Sequence, residues 1–176
     1  MAQDREDTGS SKDFALLSQT AHGTDMGNLL RQFWQPVALS AQAEPGKAVA
    51  IRMFDEELAF YRGEGGEAHL VANQCAHRCT SLHTGWVEGD DIRCVYHGWK
   101  YDGTGQCREI PSESDDLAAT VRIAGYPVHE YGGLVFAYLG EGDAPAFDLP
   151  RKDCFEESGR RSEEHTSELQ SQSNLV

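Results

Sequence analysis

The sequence predicts a mainly β protein, an antiparallel β sandwich or a set of small barrels, preceded by a short N-terminal helical arm. From Trp34 onward, short runs rich in Val, Ile, Phe and Tyr alternate apolar and polar residues with a period of two. Turn sequences such as EPGK, DE and GEGG separate these runs. Regular short strands joined by glycine turns are typical of antiparallel all-β domains.

The predicted strands follow one another closely along the chain. In ELAFYR, Leu58 and Phe60 face one side of the strand and Ala59 and Tyr61 face the other, because side chains alternate along a strand. We expect strands in WQPVALS (34–40), AVAIRMF (48–54), ELAFYR (57–62), EAHLVAN (67–73), YPVHEY (126–131) and LVFAYLG (134–140), and hairpins that turn at Gly89–Asp90 and Asp102–Gly103.

The helical arm is predicted in TDMGNLLRQFW, within a segment that covers residues 1–33 together with a polar tail. Thr24 or Asp25 can cap the helix, and Pro36 is expected to end it. A helix this short is unstable alone in water, so we expect it to dock onto the β domain. Four apolar residues lie at helical spacing along it: Met26, Leu29, Leu30 and Phe33.

Composition and charge exclude several classes of partner. The chain of 176 residues has a net charge of −14, which disfavours binding to nucleic acid and to anionic membrane surfaces. The start of the chain has no apolar signal core, and the longest apolar run, GGLVFAYLG, is too short to span a bilayer. Five cysteines are an odd number, so we expect thiols in a reducing cytoplasm rather than a disulfide framework.

Two pairs of metal-capable side chains stand out in NQCAHRCTSLHTGW and CVYHGWKYD. Cys75 and His77 are separated by one residue, sixteen residues follow, and Cys94 and His97 are then separated by two. Each pair offers one thiolate and one imidazole from one tight loop, so two hairpin loops can hold an inorganic centre between them. Gly98 permits a close approach of the backbone to such a centre.

Three interpretations of these pairs compete. Chance placement suits a single Cys or His, but it does not suit two matched pairs on loops. A structural zinc ion with two Cys and two His ligands is possible, although zinc sites usually begin with two thiolates in one knuckle. A Rieske-type [2Fe–2S] cluster, in which two thiolates hold one iron and two imidazoles the other, suits mixed pairs because each loop must reach both irons.

The segment CAHRCTSLHTGWVEGDDIRCVYHGWKYD resembles the C-x-H-R…C-x-Y-H-G-W signature of Rieske non-haem iron oxygenases. GNLLRQFWQPVALS and GGLVFAYLG resemble the N-terminal part of phthalate dioxygenase-like α subunits, and the resemblance spans residues 13–138. It implies a Rieske-type fold over residues 34–145 with two cluster-binding loops. It also implies that Cys75 and Cys94 ligate one iron and that His77 and His97 ligate the other.

The resemblance further implies an oxidoreductase that hydroxylates or O-demethylates aromatic compounds with O2. Its Rieske domain passes electrons from an NAD(P)H-dependent flavin or iron–sulfur reductase to a mononuclear Fe(II) in a separate C-terminal domain, and the α subunits are commonly trimers. This chain shows no such Fe(II) site, so we expect no catalytic residue in it and no oxygenation by it alone. The alternatives are a free Rieske ferredoxin and a zinc-binding interaction module.

Several residues near the motif have less defined roles. Arg78 adds positive charge beside the cluster or forms a surface salt bridge, and Trp99 can shield the centre from water. Cys79 has no partner cysteine in the second loop, so we expect it to be a small packed thiol rather than half of a disulfide. Cys107 and Cys154 are expected to be structural or incidental. The histidines outside the motif and upstream of residue 161 are expected to form no second ligand set and to have surface or packing roles; they are His22, His69, His83 and His129.

The C-terminal end of the sequence has a different character. Residues 146–160 are expected to be a linker towards a missing catalytic domain. The last sixteen residues, RSEEHTSELQSQSNLV (161–176), have no apolar periodicity and resemble the translation of a widely used sequencing adapter. We therefore expect residues 161–176 to be read-through rather than native protein, and the chain to be an N-terminal fragment of a longer one.

Overall fold

A computed structural model of the chain describes residue 14 and residues 16–150. The expected polar tail, the expected adapter-derived residues and Cys154 lie outside this part. Within these described residues, eleven short strands form three antiparallel sheets, which confirms the mainly β prediction. The strands are β1 (Trp34–Leu39), β2 (Lys47–Met53), β3 (Glu56–Arg62), β4 (Ala68–Ala72), β5 (Trp86–Glu88), β6 (Asp91–Arg93), β7 (Lys100–Tyr101), β8 (Cys107–Glu109), β9 (Gly125–Tyr126), β10 (Val128–Tyr131) and β11 (Leu134–Tyr138).

The sheets have the strand orders β1-β11-β10, β2-β3-β4-β9 and β5-β6-β7-β8. The expected hairpin turn at Gly89–Asp90 joins β5 to β6, and the Asp102–Gly103 pair begins the turn between β7 and β8. Short 3-10 turns occupy Ser40–Gln42 and Leu82–Thr84. The two-residue periodicity identified strands because successive side chains point to opposite faces of a sheet.

The strand β3 separates two hydrophobic cores. Leu58 and Phe60 are fully buried in a core shared with β1, β4 and β11. Ala59 and Tyr61 are fully buried on the opposite face, in the core that also contains the cysteines of β8 and of the two predicted cluster loops. The predicted alternation of this strand is confirmed, and it places the candidate site over the second core.

The helical arm includes a helix at Asp25–Arg31, and the hydroxyl of Thr24 accepts a hydrogen bond from the Gly27 amide as its N-terminal cap. The expectation that Pro36 ends the helix is wrong. The helix ends at Arg31, and Pro36 lies inside β1 next to a register shift. A proline donates no amide hydrogen, and an edge strand with a bulge tolerates that loss.

The arm docks through its last residue, as expected for so short a helix. The guanidinium of Arg31 is almost fully buried and donates to the carboxylate of Glu56 and to the carbonyls of Thr20, Gly27 and Phe54. These contacts attach the helix to the β2–β3 hairpin. Among the helices of the described part, none is long and apolar enough to cross a membrane.

Two features of the fold were not predicted. Another short helix occupies Asp115–Thr120 and packs beside β8. The start of the expected linker contacts the first sheet, because the Phe147 ring packs on Trp34 and Phe136, each with a centroid distance of 5.3 Å, and stacks on His129 at 4.0 Å. Both segments are short, so they carry little periodic signal.

Candidate metal centre

The first candidate loop joins β4 to β5 and contains Cys75 and His77. The Cys75 amide donates to the Thr80 carbonyl at 3.0 Å, and the Cys79 amide donates back to the Cys75 carbonyl at 2.8 Å. This tight turn places Cys79 in the left-handed region, with φ of 55°. A residue with a Cβ rarely adopts that conformation, so the turn is defined by its hydrogen bonds.

The second loop joins β6 to β7 and repeats the same turn. The Cys94 amide donates to the Trp99 carbonyl at 2.8 Å, and the Gly98 amide donates to the Cys94 carbonyl at 3.0 Å. Gly98 has a φ of 75°, and a Cβ at this position would lie only 3.0 Å from Pro111 Cγ. Glycine at this position therefore has a conformational and a steric cause, neither of which was predicted from the sequence.

The two turns bring the four predicted side chains together, but they bury the two thiols and leave the two imidazoles exposed. Cys75 and Cys94 are 1% and 2% exposed, whereas His77 and His97 are exposed. The two imidazole rings have centroids 4.7 Å apart. Trp99 stacks on His77 in parallel at 4.8 Å, so it covers one face of that ring. The site has a buried sulfur side and an exposed nitrogen side.

The electrostatics of the loops favour metal-binding forms on the nitrogen side. Desolvation, then the positive charges of His97 and Arg78, lower the pKa of His77, which favours the neutral imidazole that binds metals. Burial raises the pKa of the Cys75 thiol. A metal that binds this sulfur must therefore displace its proton.

Sequence reasoning missed Tyr101, which contacts the first loop directly. Its hydroxyl lies 3.3 Å from Cys75 Sγ and accepts a hydrogen bond of 3.2 Å from the Ala76 amide. Because the oxygen accepts from Ala76, its own hydrogen is free to donate to the sulfur. Burial, followed by the contact with Cys75, raises the pKa of Tyr101, so it stays a donor. Its position in β7, two residues after Trp99, was the available signal.

Other predictions about this region had mixed outcomes. The expectation that Cys79 is a packed thiol is wrong, because its side chain is exposed at the tip of the first turn. Cys107 is buried in the core, in line with a structural role. His83 bonds to Asn73 Oδ1 at 3.0 Å, and His22 lies on the surface 3.9 Å from a Glu141 oxygen.

A second set of metal-capable side chains was not predicted from the sequence. Glu67, His69 and Asp90 place one donor atom each within 4.8 Å of one another, and within the described residues they are the only such group of three or more. His69 stacks on Tyr61, and its buried Nε2 has no hydrogen-bond partner. The two carboxylates come from the start of β4 and from the β5–β6 turn, so only the packing of the sheets brings them together.

The motif residues do not form a comparable group around one point. Tetrahedral zinc requires four donors around one ion, which places them all within about 4 Å of one another. Two buried thiols beside two exposed imidazoles instead divide into a sulfur pair and a nitrogen pair. A cluster with two unlike irons requires such a division, so the donor set fits a [2Fe–2S] cluster better than a single zinc ion.

The fold and this pair of loops define a protein of the iron–sulfur electron-transfer class. A family model for the Rieske [2Fe-2S] domain matches residues 33–130, and the chain belongs to that family. The match begins just after the helix ends and covers both loops and the strands from β1 to β10. It supports a [2Fe–2S] cluster as the cofactor.

Similar proteins are oxygenase components. The chain is 37% identical over 139 residues to the 5,5'-dehydrodivanillate O-demethylase oxygenase subunit of Sphingobium sp. strain SYK-6, covering 76% of this chain and 32% of that protein. It is 43% identical over 136 residues to the tert-butanol monooxygenase / tert-amyl alcohol desaturase oxygenase subunit of Aquincola tertiaricarbonis, covering 74% and 29%. The chain thus spans about a third of the length of the curated relatives it matches.

A solved structure agrees with this family assignment. The carbazole-bound oxygenase–ferredoxin complex of carbazole 1,9a-dioxygenase contains a chain that matches with 30% identity and a TM-score of 0.58. The match covers 66% of this chain and 30% of that one. The shared part of the fold is therefore the Rieske portion of a longer oxygenase chain.

Proposed function

We propose that this chain is the electron-transfer domain of an oxygenase α subunit, with Cys75 and Cys94 on one iron and His77 and His97 on the other. The observation that carries the proposal is the matched pair of turns, which bury both thiols and expose both imidazoles. When bound, the cluster accepts and returns one electron at a time. Neutral imidazoles in place of two thiolates leave it less negative, so its reduction is easier than in a four-cysteine cluster.

The residues of this chain support that task in separate ways. The buried sulfur side excludes water from the thiolates and supplies the Tyr101 hydroxyl as a donor to Cys75. The exposed imidazoles give a redox partner a direct approach to the centre. Val95 and Tyr96 are 42% and 58% exposed beside His97, so the approach surface has an apolar component.

The ligand assignment is tested with Cys94→Ser and His97→Ala in the chain expressed with iron and sulfide available. We expect both variants to lose the visible absorption and the electron paramagnetic resonance (EPR) signal of the reduced cluster. Cys107→Ser is the matched cysteine control and His83→Ala the matched histidine control, and both should keep the cluster. A normal spectrum in either ligand variant, or a colourless wild type with one bound zinc, would contradict the proposal.

For the whole protein we propose hydroxylation or O-demethylation of an aromatic compound, with O2 and electrons derived from NAD(P)H. The mononuclear Fe(II) would lie in a C-terminal domain, the α subunits would form a trimer, and a reductase or ferredoxin would supply electrons in the cytoplasm. Relatives named for an aryl ether and for carbazole support this choice. The relative named for tert-butanol makes small aliphatic alcohols the competing substrate class.

The substrate class is tested with the complete gene, co-expressed with a reductase and supplied with aryl methyl ethers, aromatic acids and tert-butanol in parallel. We expect substrate-dependent O2 uptake with an aromatic compound, together with formaldehyde release if the reaction is demethylation. Uptake with tert-butanol alone would reject the aromatic assignment. A gene that ends after the Rieske domain would instead indicate a free ferredoxin.

A further inference from the structure

Arg93, the residue before Cys94, uses every hydrogen-bond donor of its guanidinium. Nε donates to Glu88 at 2.8 Å, and Nη2 donates to Glu88 and Glu109 at 2.8 Å each. Nη1 donates to Glu109 at 3.1 Å and to the Gly98 carbonyl at 2.7 Å. Arginine has five N–H donors in a rigid plane, so this set of partners fixes the position of that plane.

These partners belong to three strands of the sheet that carries the second loop. Glu88 ends β5, Arg93 ends β6 and Glu109 ends β8. Lys100 in β7 forms an ion pair of 3.3 Å with Glu109, so the fourth strand of the sheet also takes part in the network. The Arg93 side chain is 17% exposed, whereas the side chains of Glu88 and Glu109 are each 44% exposed, so only the arginine end of the network is shielded from water. Because four strands share the network, it is a rigid attachment point rather than a set of loose surface pairs.

The fifth bond of Arg93 connects this attachment point to the candidate centre. Gly98 directly follows His97, and its amide already donates to the Cys94 carbonyl at 3.0 Å. Arg93 holds the carbonyl of the same residue, so both polar groups of Gly98 are fixed. Pro111 leaves no room for a side chain here, since its Cγ would lie 3.0 Å from a Cβ on Gly98. The backbone that follows His97 is thereby held by two hydrogen bonds, one to Cys94 and one from Arg93.

We propose that Arg93 is a positioning residue for His97, which acts by holding the Gly98 carbonyl and so sets the direction of the imidazole towards the cluster. The inference rests on the proposed ligand role of His97. The first loop has a different brace, the Tyr101 hydroxyl on Cys75 and Ala76. Each loop is therefore positioned by its own side chain from the same sheet.

Positioning and charge predict different behaviour at this residue. Arg93 and Lys100 face Glu88 and Glu109, and Lys100 also lies 3.9 Å from Asp91, so two positive charges oppose three carboxylates. A lysine at position 93 keeps the positive charge, but its single ammonium cannot reach two carboxylates and a carbonyl in the same plane. If Arg93 acts by geometry, Arg93→Lys therefore resembles Arg93→Gln; if it acts by charge, Arg93→Lys resembles the wild type.

The test uses the full chain loaded with its cluster and compares the wild type, Arg93→Lys, Arg93→Gln and the control Arg108→Gln. Arg108 lies in the same sheet and is exposed, so its variant removes a positive charge without touching the loop. We measure the EPR g values of the reduced cluster, its midpoint potential and the rate of iron loss to a chelator. Circular dichroism checks that each variant is folded.

We expect shifted g values and iron loss roughly 10–100-fold faster in both Arg93 variants, the range typical when a residue that orients a metal ligand is removed. Arg108→Gln should match the wild type. Wild-type g values and iron loss in Arg93→Lys would overturn the proposal, whether or not its thermal stability falls. If neither Arg93 variant folds, Glu109→Gln is measured instead, because it weakens two of the five Arg93 bonds. A smaller shift of the g values would support the proposal, and wild-type g values would overturn it. A wild type without an iron–sulfur spectrum would instead defeat the proposed function.

Discussion

Replacement of Tyr101 by Phe tests how the buried sulfur side of the centre controls its electron affinity. The change removes one hydroxyl and keeps the ring, which is fully buried in the core beneath the loops. It deletes a donor 3.3 Å from Cys75 Sγ and an acceptor 3.2 Å from the Ala76 amide. We expect a lower midpoint potential, because a hydrogen bond to sulfur stabilises the more negative, reduced cluster more than the oxidised one.

The size of this effect follows from the energy of one hydrogen bond. A hydrogen bond to a charged group contributes about 1.5–3 kcal/mol. The bond to sulfur exists in both oxidation states, so only the difference, about 1 kcal/mol, changes the potential. For a one-electron couple, about 1.4 kcal/mol corresponds to ~59 mV, so we expect a decrease of ~40 mV. The unpaired Ala76 amide should also lower the free energy of unfolding by about 1 kcal/mol.

The assay is a redox titration of the cluster in the wild type, in Tyr101→Phe and in Tyr126→Phe. Tyr126 is the matched control, because its hydroxyl bonds to Glu56 at 2.6 Å in the other core. The control should lose stability and keep its potential. An unchanged or raised potential in Tyr101→Phe would refute the reasoning, and an equal decrease in both variants would show that the effect is not specific to the sulfur contact.

Three further predictions concern stability. Arg31→Met leaves the Glu56 carboxylate without its buried partner and should lower the free energy of unfolding by about 3 kcal/mol in denaturant titrations. The control Arg52→Met removes an exposed ion pair and should change the free energy of unfolding by less than about 0.5 kcal/mol. Cys79→Gly should relieve a left-handed φ and raise the free energy of unfolding by about 0.5 kcal/mol, with a slightly higher Tm. Gly98→Ala should lower the free energy of unfolding. The opposite order of the two variants in thermal unfolding would contradict the turn geometry. Hydrogen bonds, first from Arg93, lower the pKa of Glu109 from 4.5 to about 2, so its contribution is complete above pH 4.5 and is lost as the pH falls towards 2. The stability difference between wild type and Glu109→Gln should shrink over that range in acid unfolding, and a difference that stays constant would contradict it.

The sequence alone was sufficient for the features that have a local cause. Strand alternation placed Leu58 and Tyr61 on opposite faces of β3, because successive side chains of a strand point to opposite faces of the sheet. The spacing of the Cys and His pairs indicated two clamping loops, and Gly98 was expected to let the backbone approach the centre. Resemblance to a known signature then identified the family.

The end of the helical arm shows where local rules fail. Pro36 is a strong helix terminator in isolation, yet the helix ends five residues earlier, at Arg31. The buried guanidinium of Arg31 and the pairing of β1 with β11 set the boundary instead. Tertiary contacts fix this end because the free energy of burying and pairing those residues exceeds any helical preference of the residues between them.

Only the tertiary structure decided which side chains position the candidate centre. Tyr101 reaches Cys75 across 26 positions of sequence, and Glu109 reaches Arg93 across 16. Such contacts arise when strands pair and sheets stack, and no periodicity in the chain encodes them. Exposure of Cys79 has the same origin, since the turn directs its side chain away from the core. The sequence predicted which residues could be donors. The packing of the sheets set what surrounds them, because hydrogen bonds and burial depend on distances that only the folded chain creates.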